Sequence, residues 1–136
     1  MFAIIGKEIV SRLNSQSAFT TANGNNRVYP VIIPQLSNFP CTTFEITNVS
    51  NFLSKGGSLN SCDVSIRLAC FADTYISTYN QAKAAVEALD LYEVEYTEDS
   101  VDYVAKFRFL DLDDDYFKTS EKFYKNVNFN CLIIKK

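Results

Sequence analysis

The sequence predicts an α+β protein: an antiparallel β-sheet of about five to six strands with two amphipathic helices packed on one face. Three observations lead there. Several stretches alternate apolar and polar residues with the period of two that a half-buried strand requires. Two others repeat apolar residues at helical spacing, and most of the strand-like stretches follow one another closely enough to pair as hairpins. A sheet with one apolar face needs a cover, which the helices supply. At 136 residues the chain holds one ordinary core, so a single domain over 1–136 is expected.

Phe2, Ile5, Ile9 and Leu13 recur on one side of a first helix, with Lys7, Glu8 and Arg12 left for solvent. The stretch SQSAFTTANGNN that follows is rich in Ser, Thr, Asn and Gly and reads as a loop. Next comes NRVYPVIIPQLSNFP, which holds all three prolines of the chain. Val28 to Ile33 is β-branched and apolar, but Pro30 lacks the amide that a central strand must donate, so this segment is an edge strand or an extended connector. Pro40 sets an extended approach to the first full strand.

In Cys41–Thr47, Thr42, Phe44 and Ile46 alternate with Thr43, Glu45 and Thr47. In Cys62–Phe71, Cys62, Val64, Ile66, Leu68 and Cys70 share one face. The two form a long hairpin whose 48–61 loop contains a Gly56–Gly57 turn signal. Asp73 is placed to cap a helix from Thr74 to Leu89, with Tyr75, Ile76, Tyr79, Ala82, Val86 and Leu89 as its apolar stripe. Tyr92–Thr97 and Val101–Leu110 alternate about the turn-like EDS and form a second hairpin, with Val101, Tyr103, Ala105, Phe107 and Phe109 in phase. The acidic stretch DLDDDYFKTSEK reads as a loop over 111–122, and Phe123–Ile134 closes the chain as a strand.

Hydrophobic residues make up 47% of the chain and charged residues 21%, a composition of the folded class. A net charge of −3 lacks the basic excess that neutralising a phosphate backbone demands, so specific or tight nucleic-acid binding is not expected. No apolar run approaches the roughly 20 residues that span a bilayer, and no signal peptide or membrane partner is expected. Cys62 and Cys70 lie about 26 Å apart along one strand, too far to bridge, and the cysteines are expected to be reduced core thiols.

Catalytic signatures are absent. There is no histidine, so a cysteine or serine nucleophile would need another base, and none of the four cysteines sits in a nucleophile motif. Asp111, Asp113, Asp114 and Asp115 form the main charge cluster, but the calcium-loop spacing with its glycine is missing. No metal, cofactor or enzymatic activity is expected. Phe52 and Leu53, a large apolar pair inside a predicted loop, are either tucked under or offered to a partner.

Three blocks together resemble the tail-completion, or tail-terminator, proteins of long-tailed bacteriophages: NRVYPVIIPQLSNFPCTTFEI, VSIRLACFADTYISTYNQAKAAVEAL and FYKNVNFNCLI. The first is similar to that family's proline-bearing connector and strand, the second to its strand and alanine-rich helix, the third to its closing strand. Cys41 and Thr42 stand where an aromatic or apolar pair is usual, and the 111–115 acids depart from the pattern too. The resemblance implies a structural virion component made in the host cytoplasm and located at the head–tail junction. Its expected partners are further copies of itself in a ring, commonly a hexamer, the tail-tube protein and the head–tail connector or neck protein. Ring or tube contacts are then expected from Phe52, Leu53 and Lys55 in one loop and Tyr116 and Phe117 in the other. Asp113, Asp114 and Asp115 become candidate lumen acids that repel passing DNA. Alternative readings are a connector, neck or minor tail protein, and a monomeric α+β module that binds a small molecule or peptide.

Overall fold

The structure, a computed structural model, describes residues 3–35, 37–53, 59–118 and 121–136; within these, the side chains of residues 51–53, 59, 60 and 117 are not described. Among the described residues, three helices and six strands follow in the order α1 (Ile5–Asn14), α2 (Ser17–Asn23), β1 (Val28–Pro30), β2 (Cys41–Leu53), β3 (Leu59–Ala72), α3 (Tyr75–Leu89), β4 (Glu93–Glu98), β5 (Val101–Phe117) and β6 (Lys122–Lys135). The strands form one sheet in the order β1-β2-β3-β6-β5-β4. The α+β class is as expected, with one refinement. The sheet is mixed, because β1 runs parallel to β2 while every other neighbouring pair is antiparallel.

The core lies where the strand phases place it. Cys62, Val64, Ile66, Leu68 and Cys70 of β3 face Val127, Phe129, Cys131 and Ile133 of β6, all of them buried. Tyr103, Ala105 and Phe107 of β5 extend this surface. Ile5, Ile9 and Leu13 close it from α1, as their spacing predicts, while Phe2 lies outside the described residues. Asp99 and Ser100 both take positive φ in the two-residue turn between β4 and β5, the geometry that matches a hairpin's twist.

The predicted loop SQSAFTTANGNN is in fact the short helix α2. Its composition is weak for a helix, but Phe19 and Asn23 are fully buried on one side of it, and Gly24 ends it in the left-handed conformation at φ 72°. Asn23 explains what burial achieves here. Its Oδ1 accepts from Thr42 Oγ1 at 2.7 Å and from Gln81 Nε2 at 2.9 Å, and its Nδ2 donates to Arg27 O at 3.1 Å. Gln81 Nε2 also donates to Cys41 O at 3.1 Å, so one polar cluster ties α2, β2 and α3 together inside the core.

Helix α3 is rotated relative to the predicted stripe. Ala82 and Leu89 are buried as expected, but the rest of the inward face is Thr78, Gln81, Ala84, Ala85 and Ala88. Tyr75, Ile76 and Tyr79 instead stand 51%, 65% and 50% exposed. Small side chains let the helix backbone approach β3, β6 and α2 closely, and that close approach selects the alanine face over the aromatic one. The cap also differs: Thr74, not Asp73, accepts from the Ser77 amide at 3.2 Å, while Asp73 pairs with Lys122.

The proline-rich segment is the sheet's edge. Pro30 ends β1 on the outermost strand, where its missing amide costs no ladder bond. The chain then turns sharply. Val31 takes φ 61°, its amide donates to Phe44 O at 2.8 Å, and the Ile32 amide donates back to Pro30 O at 2.6 Å, closing a three-residue γ-turn of the rare positive-φ kind. Val31 and Ile32 are left 63% and 73% exposed.

Candidate functional site

Most of the described residues in both predicted contact loops are strand. Phe52 and Leu53 belong to β2, where they pair with Ser61 and Leu59 across the hairpin, so the connection is far shorter than 48–61. Alternation is weak in NVSNFL, and irregularities at Ile46/Asn48 and Phe52/Leu53 shift its phase, which hides the strand from a search for period two. The side chains of Phe52 and Leu53 fall outside the described residues, as do Lys55 and the Gly56–Gly57 turn signal.

The acidic stretch is likewise the outer half of β5, paired with β6 as far as Phe117 and Lys122. A bulge between Phe109 and Asp111 resets the alternation there. Successive side chains on a strand point to opposite faces, so the candidate acids 113, 114 and 115 do not act as one group. Asp113 and Asp115 share the face away from the helices with Asp111. There Asn128 Nδ2 donates to Asp111 Oδ1 at 2.7 Å, Asn126 Nδ2 to Asp113 Oδ1 at 2.9 Å, and the Tyr124 hydroxyl to Asp115 Oδ2 at 3.2 Å. Arg67 extends one row, donating from Nε to Asn128 Oδ1 at 3.3 Å and pairing with Glu45 at 3.5 Å. The row Glu45, Arg67, Asn128, Asp111 thus crosses four strands on a face with a regular polar pattern.

Asp114 points the other way, under α3. It pairs with Lys125 and accepts from the Tyr75 hydroxyl at 2.9 Å. Lys125 has a side chain only 3% exposed, and its ammonium lies 4.0 Å from the centroid of the Tyr75 ring. Burial opposes the charge on Lys125, but the bonds to Asp114 and Tyr75 outweigh it and hold the ammonium above its ordinary value. The hydrogen bonds from Lys125 and Tyr75 in turn hold the Asp114 carboxyl below its own.

This pair sits at the floor of a groove of about 440 Å³ between α3 and β5, walled by Tyr75, Tyr79, Val86, Phe109 and Leu112, with the exposed Lys83 and Glu87 of α3 also lining it. Tyr116 is half exposed, with its ring edge against Phe123 at 5.0 Å between centroids. A larger cleft of about 790 Å³ between α2 and α3 is lined mainly by small and polar side chains, among them Ser17, Thr21, Ser77 and Asn80. Sequence reasoning missed the groove because it assigned Tyr75 and Tyr79 to the core. The signal lay in the helix's second stripe, Thr78, Gln81, Ala85 and Ala88, which is smaller and can sit closer to a sheet.

All four cysteines are free and fully buried, matching the expectation of reduced core thiols. Burial pushes Cys41 up to about 11 and Cys70 and Cys131 up to about 12, so none is primed as a nucleophile. Among the described residues, no group of three or more acidic or cysteine side chains is placed to hold a metal ion, and no helix is long and apolar enough to cross a membrane.

The fold is therefore a six-stranded mixed sheet with three helices on one face. It is shared, over 100% of both chains and with a TM-score of 0.79 at 12% identity, with a solved chain from the virion of a native gene transfer agent particle. No protein-family model matches the chain, and no curated protein matches its sequence.

Proposed function

We propose that this chain is a structural component of a phage or phage-like particle, and within it a tail-completion protein. In this reading copies of the chain form a ring, of six by analogy with the resembling family, that caps the tail tube, ends its growth and joins it to the neck. The observation that carries the reading is the full-length fold likeness to a chain of a gene transfer agent virion. The three sequence blocks that resemble tail-terminator proteins point the same way and select the role within the particle. The chain works as one domain, without a cofactor and without chemistry of its own.

The polar sheet face suits the lumen role in a revised form. Asp111, Asp113 and Asp115, rather than Asp114, are the acids that would meet passing DNA, each held by a cross-strand donor. Like-charge repulsion would then keep DNA from adhering. Phe52, Leu53 and Phe117, near the ends of the two long hairpins, remain candidates for contact with tube or neck, together with Lys55 and Tyr116.

The test is removal of the gene from a producing strain, followed by electron microscopy of the lysate. Tails of uncontrolled length that fail to join full heads are expected. Normal-length tails attached to heads would refute the tail-completion role, and a wild-type particle free of this chain by mass spectrometry would refute the structural role altogether.

A further inference from the structure

Two apolar features of this surface lie near opposite edges of the sheet. One is the knob Val31–Ile32, just beyond the edge strand β1; the other is the groove between α3 and β5, four strands away. Neighbouring strands sit about 4.8 Å apart, so the two are separated by roughly 19 Å across the sheet. Val31 is the one β-branched residue among the described residues with positive φ. That conformation is unfavourable for its type, and its mostly exposed side chain gains little burial within the subunit to offset the strain.

We propose that the Val31–Ile32 knob of one subunit docks into the Tyr75–Tyr79–Leu112 groove of a second copy. Charge supports this occupant. The stretch from Val28 to Pro40 contains no charged residue, and the buried charge at the groove floor is already satisfied within the subunit, Lys125 by Asp114 and Tyr75, while Lys83 and Glu87, one helical turn apart, line the groove from the exposed side of α3. A neutral aliphatic segment therefore enters without leaving a buried charge unpaired, which a charged peptide would do. The groove's volume of about 440 Å³ accommodates two aliphatic side chains. The larger cleft between α2 and α3 is a poorer receptor, since its lining is more polar and it lies beside Pro40, on the knob's own side of the sheet.

Because knob and groove are different patches, the contact is head-to-tail. Repeated, it generates a ring when the rotation closes and a filament when it does not. The inference rests on the ring reading above and names the surface that would build it.

The test is directional crosslinking of the full chain. One preparation carries Ile32→Cys, another Tyr79→Cys, and a third Ser11→Cys on the exposed side of α1 as a control; the four native thiols are buried and silent. Equimolar mixtures are oxidised with air and copper–phenanthroline. The Ile32→Cys and Tyr79→Cys mixture is expected to give covalent dimer about tenfold above either variant alone and above mixtures with the control, because docking replaces random collision by proximity. A chain carrying both substitutions is expected to give a ladder ending in a closed species. A ring mass in native mass spectrometry with crosslinking no higher than control would overturn this contact and leave the ring reading standing. Subunits that remain monomeric at millimolar concentration, with control-level crosslinking, would overturn both. Equal yields from each variant alone would mean a two-fold contact and would also overturn the proposal.

Discussion

Replacing Val31 by glycine separates what the γ-turn costs the subunit from what the side chain does outside it. A β-branched residue in the left-handed region is disfavoured by about 1–2 kcal/mol, and glycine adopts that region freely. Against this, glycine loses more chain entropy on folding, about 0.5–1 kcal/mol. Val31 is 63% exposed, so truncation removes only about a third of a valine's burial, roughly 0.5 kcal/mol. At mid-range values the balance favours Val31→Gly by about 0.25 kcal/mol. With about 2.1 cal/mol/K per residue of unfolding entropy, 136 residues convert this to a rise in Tm of about 1 °C. Differential scanning calorimetry on the dilute monomer checks it, with Val31→Ala as a control that keeps Cβ and its clash and therefore gains nothing. A Tm at least 2 °C below wild type for the glycine variant would refute the assignment of strain to Val31. Stabilisation accompanied by weaker self-association is the combination expected of a residue that serves an interface.

Asn23→Ala leaves Thr42 Oγ1 and Gln81 Nε2 short of an acceptor inside the core, and should destabilise the fold by about 1–3 kcal/mol in urea unfolding with m unchanged. The Asp114 carboxyl is held below its ordinary value of 3.8, so the stability it contributes is complete above that value and is lost as pH falls through the lower folded-state value. Asp114→Asn should therefore flatten the acid limb of a Tm–pH curve while leaving the neutral limb parallel to wild type. The thiols of Cys41, Cys70 and Cys131, raised to about 11 to 12, should resist iodoacetamide at pH 8 in the folded protein and react fully in guanidinium chloride. Asp111→Asn with Asp113→Asn should leave the monomer folded, since each asparagine can still accept from its cross-strand amide. Slowed DNA release from particles assembled with that variant would support a lumen position; unchanged release would argue against it.

Much of the fold was legible because its strands follow simple physics. Cys62 to Cys70 and Val127 to Ile133 alternate without interruption, and each lies in the sheet with the predicted face inward. The edge role of β1 was legible too, since a proline without an amide constrains where a strand can sit. The outer halves of the two long hairpins were not. Bulges near Thr47 and Leu110 break the period of two, and a row of aspartates looks like a loop until cross-strand asparagines and a tyrosine are found opposite it. Helix α2 was missed because its seven residues carry little propensity of their own and are held by Phe19 and Asn23 against the rest of the core.

By itself the sequence determined the class of fold, the inward faces of the central strands, the reduced state of the cysteines and the unusual character of the proline-rich segment. These depend on properties each segment carries locally: period, β-branching and a missing amide. Only the tertiary structure decided which stripe of α3 faces the sheet, that Asp114 turns inward to Lys125 while Asp111, Asp113 and Asp115 stay together outside, and that Val31–Ile32 and the tyrosine-walled groove lie near opposite edges. Those outcomes depend on how closely two backbones approach and on where a bulge resets alternation. Such quantities belong to pairs of elements and cannot be read from either element alone.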